Sequence, residues 1–112
     1  MPETFHLVPE SVWMAHDKAM PYEADSLATE GFIHCTDGVD ALGVTFDRYY
    51  AADIRPFLAL TLELDGLDSP WRYDVPDSPY PHIYGPVRPE VVVGVSRVDR
   101  AADGRFAGLT PV

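Results

Sequence analysis

The sequence predicts a small α+β domain, and two observations favour that fold class. Patterns typical of helices lie in the first half of the chain, whereas patterns typical of strands lie mostly in the second half. A doubly wound α/β sheet would instead alternate strand and helix throughout. No glycine-rich phosphate loop follows any predicted strand, so the sequence lacks the usual dinucleotide-binding fingerprints.

The length of the chain sets its domain organisation. A chain of 112 residues can form one hydrophobic core but is too short for two well-stabilised cores. We therefore expect a single domain over residues 1–98. Residues 99–112 are polar and then contain glycine and proline, so we expect them to form a loosely held C-terminal tail.

The charge balance is strongly acidic, with 18 acidic and 8 basic residues and a formal net charge of -10. A field of that sign repels phosphate backbones, which argues against general nucleic-acid binding. A local basic pocket remains open as an alternative, and the residues available to build it are Arg48, Arg55, Arg72 and Arg88.

Cysteine content and hydropathy indicate the cellular setting. Cys35 is the single cysteine, so the chain has neither an internal disulfide nor a cysteine-based zinc site. The N-terminus lacks the basic start and apolar stretch of a secretory signal, and no apolar run has the length of a membrane-spanning helix. These features predict a cytoplasmic protein with no membrane association.

The first part of the chain is predicted to contain one strand and two short helices. Residues 4–8 read as a strand. Residues 11–20 have a modest helical pattern, which Pro21 closes. A helix of one to two turns is then expected to end at Gly31, because glycine is the usual residue for a left-handed helix end.

A second strand and the most regular helix follow. The strand is predicted over residues 32–36, and Thr36 or Asp37 is expected to cap a helix over residues 39–50. Its apolar positions recur with a period of 3.6 residues and should face the core: Val39, Leu42, Gly43, Phe46, Tyr49 and Tyr50.

Four strands are predicted in the second half. Residues 57–64 alternate cleanly, with leucines at the even positions on one face. Short strands are predicted over residues 71–75 and 82–84, and residues 91–98 read as the last strand. Together with the early helices, this order predicts a mostly antiparallel sheet.

Three of the four histidines lie in predicted strands beside apolar neighbours. His6, His34 and His82 share a strand face with Val8, Thr36 and Tyr84, respectively. Buried polar groups cost free energy unless each finds a partner, and three such groups suggest a common site. We therefore expect one cleft formed by His6, His34, Thr36, His82 and Tyr84.

Other interpretations of these residues remain open. Each histidine could be a buried residue that one backbone carbonyl satisfies. A three-histidine metal site is chemically feasible, although the sequence lacks the close HxH or HxxxH spacing of such sites. Cys35 faces away from His34 in a regular strand, which predicts a small buried hydrophobe and not a nucleophile. Arg88 could meet an anionic ligand or join a surface ion pair.

The sequence resembles a small bacterial family called domain of unknown function 952. The matching segments are FHLVP, Trp13, SLATEGFIHCT, RYY, LALTLELDGL and PHIYGPV, and they extend from about Phe5 to Val95. Two of these motifs, FIHC[ST] and PHIYGP, are specific. The resemblance implies a fold similar to the ADP-ribosyltransferases, with a split, bent, antiparallel-rich sheet and two to three helices. The order of the motifs also resembles that of the RNA 2′-phosphotransferases, which use NAD.

The resemblance implies roles for individual residues. His34, Thr36 and Asp74 are the candidate catalytic residues, and Asp74 is the nearest candidate for the glutamate of many ADP-ribosyltransferases. The candidate cofactor-binding residues are His6, His82, Tyr84 and Arg88. The implied cofactor is NAD, and the implied partner is a small-molecule nucleotide. The HGT triplet of the phosphotransferases corresponds here to His6, Leu7 and Val8, so its glycine is missing.

Three functional hypotheses follow. The first is an enzyme that transfers an ADP-ribosyl or glycosyl group from NAD or a related nucleotide, with the protein stabilising an oxocarbenium-like cation. The second is a non-catalytic module of the same fold that binds a nucleotide or another small ligand. The lack of a clear counterpart of the ADP-ribosyltransferase glutamate favours it. The third is a metal enzyme based on the three histidines.

Overall fold

A computed structural model describes residues 2–112 of the chain. Its helices are α1 (Glu10–Ala15), α2 (Asp25–Thr29) and α3 (Val39–Tyr49), with short 3-10 turns at Leu64–Gly66 and Pro89–Val91. Its strands are β1 (Glu3–Pro9), β2 (Ile33–His34), β3 (Phe57–Glu63), β4 (Trp71–Tyr73), β5 (Pro81–Ile83), β6 (Val92–Arg100) and β7 (Phe106–Pro111).

The strands form two antiparallel sheets. The larger sheet has the order β1-β3-β6-β7, and the smaller sheet has the order β2-β5-β4. Phe5 of β1 and Thr36, just after β2, exchange two backbone hydrogen bonds of 2.9 and 2.8 Å that tie the smaller sheet to the edge of the larger one. The predicted α+β class with antiparallel strands is confirmed.

The central strand β3 is covered on both faces. Leu58, Leu60 and Leu62 pack in a cluster that includes Ile33 and Ile83 of the smaller sheet. On the opposite face of β3, Phe57 and Ala59 pack with residues of α3 and β7. The alternation of β3 therefore separates two apolar layers: Phe57 and Ala59 on the face opposite the leucines are buried, whereas Thr61 and Glu63 farther along are half-buried.

Helix α3 covers its sheet face mainly through Leu42 and Phe46, which are both fully buried. The expectation that Val39 and Tyr49 face the core is wrong: these residues are 44% and 67% exposed. The predicted cap is also wrong, because Gly38, with φ of 84°, precedes the helix. The side chains of Thr36 and Asp37 bind elsewhere: Thr36 faces Thr45, and Asp37 accepts a hydrogen bond from the Tyr73 hydroxyl.

Helix α1 is shorter than the predicted 11–20 segment. It ends at Ala15, because His16 has an extended backbone conformation. The amino group of Lys18 then donates to the carbonyl oxygens of Trp13 and His16 and satisfies the helix end. Helix α2 ends at Thr29, and Gly31, which follows the cap residue Glu30, has the left-handed backbone predicted for the helix end, with φ of 89°.

The segment expected to be a loosely held tail is part of the larger sheet. Strand β6 continues to Arg100, and β7 pairs with it along the sheet edge. Phe106 packs so closely against Gly43 of α3 that a Cβ atom on residue 43 would lie 2.9 Å from the Phe106 ring. Gly43 and Phe106 are far apart in the sequence, so the composition of residues 99–112 does not reveal their contact. For this reason the sequence did not predict the strand.

None of the helices within residues 2–112 has the length and apolar character needed to cross a membrane.

The packing of α3 generates a stability prediction. We expect Phe46→Ala to lower the free energy of unfolding by about 3–5 kcal/mol, because it leaves a cavity between α3 and the sheet. Tyr49→Ala on the exposed side of the same helix is the matched control, with an expected change within about 0.5 kcal/mol. Chemical denaturation of both variants would measure the difference. Equal losses would contradict this packing.

Candidate functional site

The centre of the candidate site is a histidine pair across two neighbouring strands. His34 of β2 lies directly opposite His82 of β5, and Ile33 lies opposite Ile83. Both isoleucines are fully buried, so the preceding and following residues of these strands point to the other side. The two imidazole rings are 5.6 Å apart, centroid to centroid, in an edge-to-face arrangement.

These histidines border a cleft of about 290 Å³ between the smaller sheet and α3. The hydroxyl oxygens of Thr36 and Thr45, one from each wall, are 3.4 Å apart. The lining therefore combines imidazoles, hydroxyls, aromatic rings and one guanidinium group. Its residues are His34, Cys35, Thr36, Val44, Thr45, Arg48, Tyr49, Tyr80 and His82.

Asp74 anchors His82 from behind the cleft. The Nδ1 atom of His82 lies 2.7 Å from the Asp74 carboxylate, which also accepts hydrogen bonds from the Tyr84 hydroxyl and, at 2.6 Å, from Arg72 Nε. The hydrogen bonds from Tyr84, His82 and Arg72 lower the pKa of Asp74 to about 2. Asp74 is therefore ionised, and its carboxylate oxygens already accept hydrogen bonds from three side chains.

Phe32 orients both cleft histidines. Its ring stacks on His82 with centroids 4.0 Å apart and an interplanar angle of 19°. The same ring meets His34 edge-to-face at 4.8 Å. In the sequence, the alternation of the predicted second strand places Phe32 and His34 on one face. That pattern indicates the contact between their rings.

His34 has a looser setting than His82. Its Nε2 atom lies 3.1 Å from a carboxylate oxygen of Glu30, but both side chains are about half exposed. An ion pair in such a setting contributes little to stability. The ion pair of His34 therefore contributes little to the stability of the fold, whereas His82 is held in place by Asp74.

Tyr84 lies beside the histidines but does not line the cleft. The Arg72 guanidinium covers its ring at 4.0 Å, and its hydroxyl donates to Asp74. The ring of Tyr84, a candidate cofactor-binding residue, is thus already covered on one face by an arginine of the same chain.

His6 faces a different part of the molecule from the cleft. Its Nδ1 atom lies 2.7 Å from the carbonyl oxygen of His34, and a carbonyl only accepts, so Nδ1 carries the proton. Nε2 then accepts a 2.9 Å hydrogen bond from the Tyr22 hydroxyl. Desolvation by burial lowers the pKa of His6 to about 4. The expectation that His6 joins the cleft does not match this geometry; His6 fits the open alternative of a satisfied buried histidine.

Arg48 is the basic residue that reaches the cleft. Among residues 2–112, the other basic side chains have partners of their own: Lys18 and Arg100 bind backbone carbonyl oxygens, and the remaining five bind carboxylates. Arg88, the predicted ligand-binding arginine, donates to the Gly66 carbonyl oxygen and pairs with Asp68 and Glu90, away from the cleft lining. The sequence offered Arg48 only as one of several available arginines.

A three-histidine metal site does not form in the part of the chain that the structure describes. No cluster of three or more His, Cys, Asp or Glu side chains there has a metal-binding arrangement. Both ring nitrogens of His6 are engaged in hydrogen bonds. The structure therefore gives the third hypothesis no support.

The chain belongs to the family described as protein of unknown function (DUF952), whose sequence pattern matches residues 7–95. It is similar to the X-ray structure of protein CC0527 from Caulobacter crescentus, with 21% identity, a TM-score of 0.76 and coverage of 94% of this chain and 93% of that one. The solution NMR structure of CC0527 gives 22% identity, a TM-score of 0.72 and coverage of 94% and 91%. These similarities show a shared fold. No curated protein matches the chain significantly.

The buried His6 generates a pH prediction. Its folded-state pKa of about 4 lies below the ordinary 6.5, so the unfolded chain binds a proton that the folded chain excludes. This contribution to stability is complete above pH 6.5 and is lost as the pH falls toward 4. We expect His6 to make the free energy of unfolding about 2 kcal/mol lower at pH 5 than at pH 7.5.

Denaturation of the wild type and of His6→Gln at both pH values would measure this difference. His34→Gln, which removes an exposed imidazole, is the matched control. A His6→Gln variant that keeps the full pH dependence of the wild type would show that His6 is not its source.

The burial of Cys35 generates a reactivity prediction. Its side chain is 3% exposed, and desolvation raises the pKa of its thiol. Because the thiolate is the reactive form, we expect a thiol reagent to label the native protein far more slowly than the denatured protein. Equal labelling rates in native buffer and in denaturant would contradict the buried placement.

Proposed function

We propose that this member of the DUF952 family binds a nucleotide of the NAD type in the cleft between the smaller sheet and α3. The observation that carries the proposal is Arg48. In a chain with a net charge of -10, the one guanidinium group without a partner among residues 2–112 lines the same cleft as His34, His82 and Thr36. An arginine in this position favours an anionic group such as a phosphate.

The rest of the lining suits the other parts of a nucleotide. Tyr49 and Tyr80 provide aromatic surface for a base, and Thr36 and Thr45 provide hydroxyl groups for a ribose. The cleft volume of about 290 Å³ lies just below the range of about 300–1,000 Å³ for small-molecule sites. We therefore infer that one nucleotide half of a dinucleotide occupies the cleft while the other half remains outside.

Transfer of an ADP-ribosyl or glycosyl group is the reaction that the resemblance to ADP-ribosyltransferases implies. In this proposal His34 and Thr36 orient the ribose, and His82 holds the substrate against them. Breaking the bond between nicotinamide and ribose creates an oxocarbenium-like cation, which a carboxylate would stabilise. Asp74 is the carboxylate that binds His82.

A non-catalytic binding module is the second candidate, and the setting of Asp74 favours it. Three donors, from Arg72, His82 and Tyr84, already occupy the oxygens of this carboxylate. A carboxylate so occupied has little capacity left to stabilise a cation on a ribose. The cleft would then bind its nucleotide without breaking the glycosidic bond.

A thermal-shift measurement with NAD, ADP-ribose, nicotinamide mononucleotide and AMP tests the binding proposal. A ligand at 100 times its dissociation constant adds about 2.7 kcal/mol to the free energy of unfolding, so binding raises the melting temperature. If none of these nucleotides raises it, the proposed function is wrong. Release of free nicotinamide from NAD would then distinguish the transferase from the binding module.

Two cleft variants locate the site. We expect Arg48→Gln and His34→Ala each to weaken nucleotide binding about tenfold or more, because each removes a polar or charged partner of the ligand. His34→Ala should leave the melting temperature without ligand nearly unchanged, since its ion pair is exposed. Arg97→Gln, which removes an exposed arginine outside the cleft, controls for the loss of one positive charge. Equal binding by all three variants would place the ligand elsewhere.

A further inference from the structure

Each imidazole of the cleft is paired with its own carboxylate, through a different ring nitrogen. Nε2 of His34 contacts the Glu30 carboxylate, and Nδ1 of His82 contacts the Asp74 carboxylate. A carboxylate only accepts, so it keeps a proton on the nitrogen that it contacts. The second nitrogen of each ring, Nδ1 of His34 and Nε2 of His82, is left to exchange a proton with a ligand.

We propose that His34 and His82 form an acid–base pair that hydrolyses the phosphoanhydride bond of the bound nucleotide. This inference rests on the proposed binding of a nucleotide in the cleft. It assigns the reacting centre to phosphorus and not to the ribose carbon.

Two proton transfers distinguish these reacting centres. When water displaces a phosphoanhydride oxygen, the attacking water loses a proton and the departing oxygen gains one. Two imidazoles on paired strands meet both needs. Release of nicotinamide requires no proton on the leaving group, and it benefits from a carboxylate beside the ribose, whereas no carboxylate is among the residues that line this cleft.

The surroundings of the two histidines assign their roles. His82 is only 18% exposed, stacked on Phe32 and fixed by Asp74, which suits a general base of defined orientation. The carboxylate also stabilises the imidazolium that forms when His82 takes a proton. His34 is 55% exposed and can regain a proton from solvent, which suits the general acid.

Water is the only reactant that this hydrolysis needs besides the nucleotide. Nε2 of His82 removes a proton from water as the water oxygen bonds to phosphorus. The bond from phosphorus to the bridging oxygen breaks, and its electron pair stays on that oxygen. The bridging oxygen then takes a proton from the protonated His34. Arg48 meets the negative charge of the phosphate group. NAD would yield AMP and nicotinamide mononucleotide, and exchange with solvent restores both histidines.

Chromatographic analysis of NAD incubated with the protein separates the outcomes. AMP and nicotinamide mononucleotide in equal amounts are the expected products. Nicotinamide with ADP-ribose would overturn this inference and support the transferase. Binding with intact NAD would overturn it and support the binding module. Absence of both binding and products would overturn the proposed function and this inference with it.

Variants test the pair itself. We expect His34→Ala and His82→Gln to lower kcat at least about 100-fold, the usual contribution of a general acid or base. His16→Ala, which lies outside the cleft, should retain full activity. The wild-type pH–rate profile should be bell-shaped, and the profile should lose its acid limb in His82→Gln and its alkaline limb in His34→Ala. Activity of both variants near that of the wild type would overturn the inference.

Asp74 is a positioning residue in this scheme, and Asp74→Asn tests it. The amide oxygen can still accept the Nδ1 proton of His82, but it carries no charge to stabilise the imidazolium. We expect kcat to fall about tenfold or more while KM stays nearly constant, since Asp74 does not line the cleft. A change confined to KM would contradict this role.

Discussion

The pairing of β2 with β5 is the interaction on which the candidate site depends. Ile33 and Ile83 lie opposite each other and are fully buried, so the register of the two strands is fixed by the core. A slip of one strand by one residue would turn its isoleucine to solvent, which apolar burial disfavours. Because side chains alternate along a strand, the same register places His34 and His82 together on the opposite face.

The pairing of the basic side chains determines the electrostatic character of this face. Most basic side chains of the described residues are committed to carboxylates or carbonyl oxygens, as Arg72 is to Asp74 and Arg100 is to Tyr50. Arg48 lies on α3, whose apolar side is held by Phe46, so the helix carries the arginine to the rim of the cleft. An acidic protein can thus present one local positive charge to an anionic ligand.

Local patterns predicted most of the elements and three of the residues that line the cleft. The period of α3, the alternation of β3 and the glycine end of α2 are all properties of short segments, and the structure contains each of them. The segment 99–112 was misinterpreted because β7 is stabilised by pairing with β6 and by Phe106 against Gly43, which composition does not reveal. His34, Thr36 and His82 were placed together because each lies on the polar side of its own strand.

The sequence by itself determined which side chains leave the apolar face of each strand, since alternation and helical period are local consequences of backbone geometry. Only the tertiary structure decided which partner each of those side chains meets. His6 is bound to Tyr22 and to the His34 carbonyl oxygen, whereas His82 is bound to Asp74. The physical reason is that hydrogen bonds and ion pairs act over a few ångströms, and folding brings distant parts of the chain within that range.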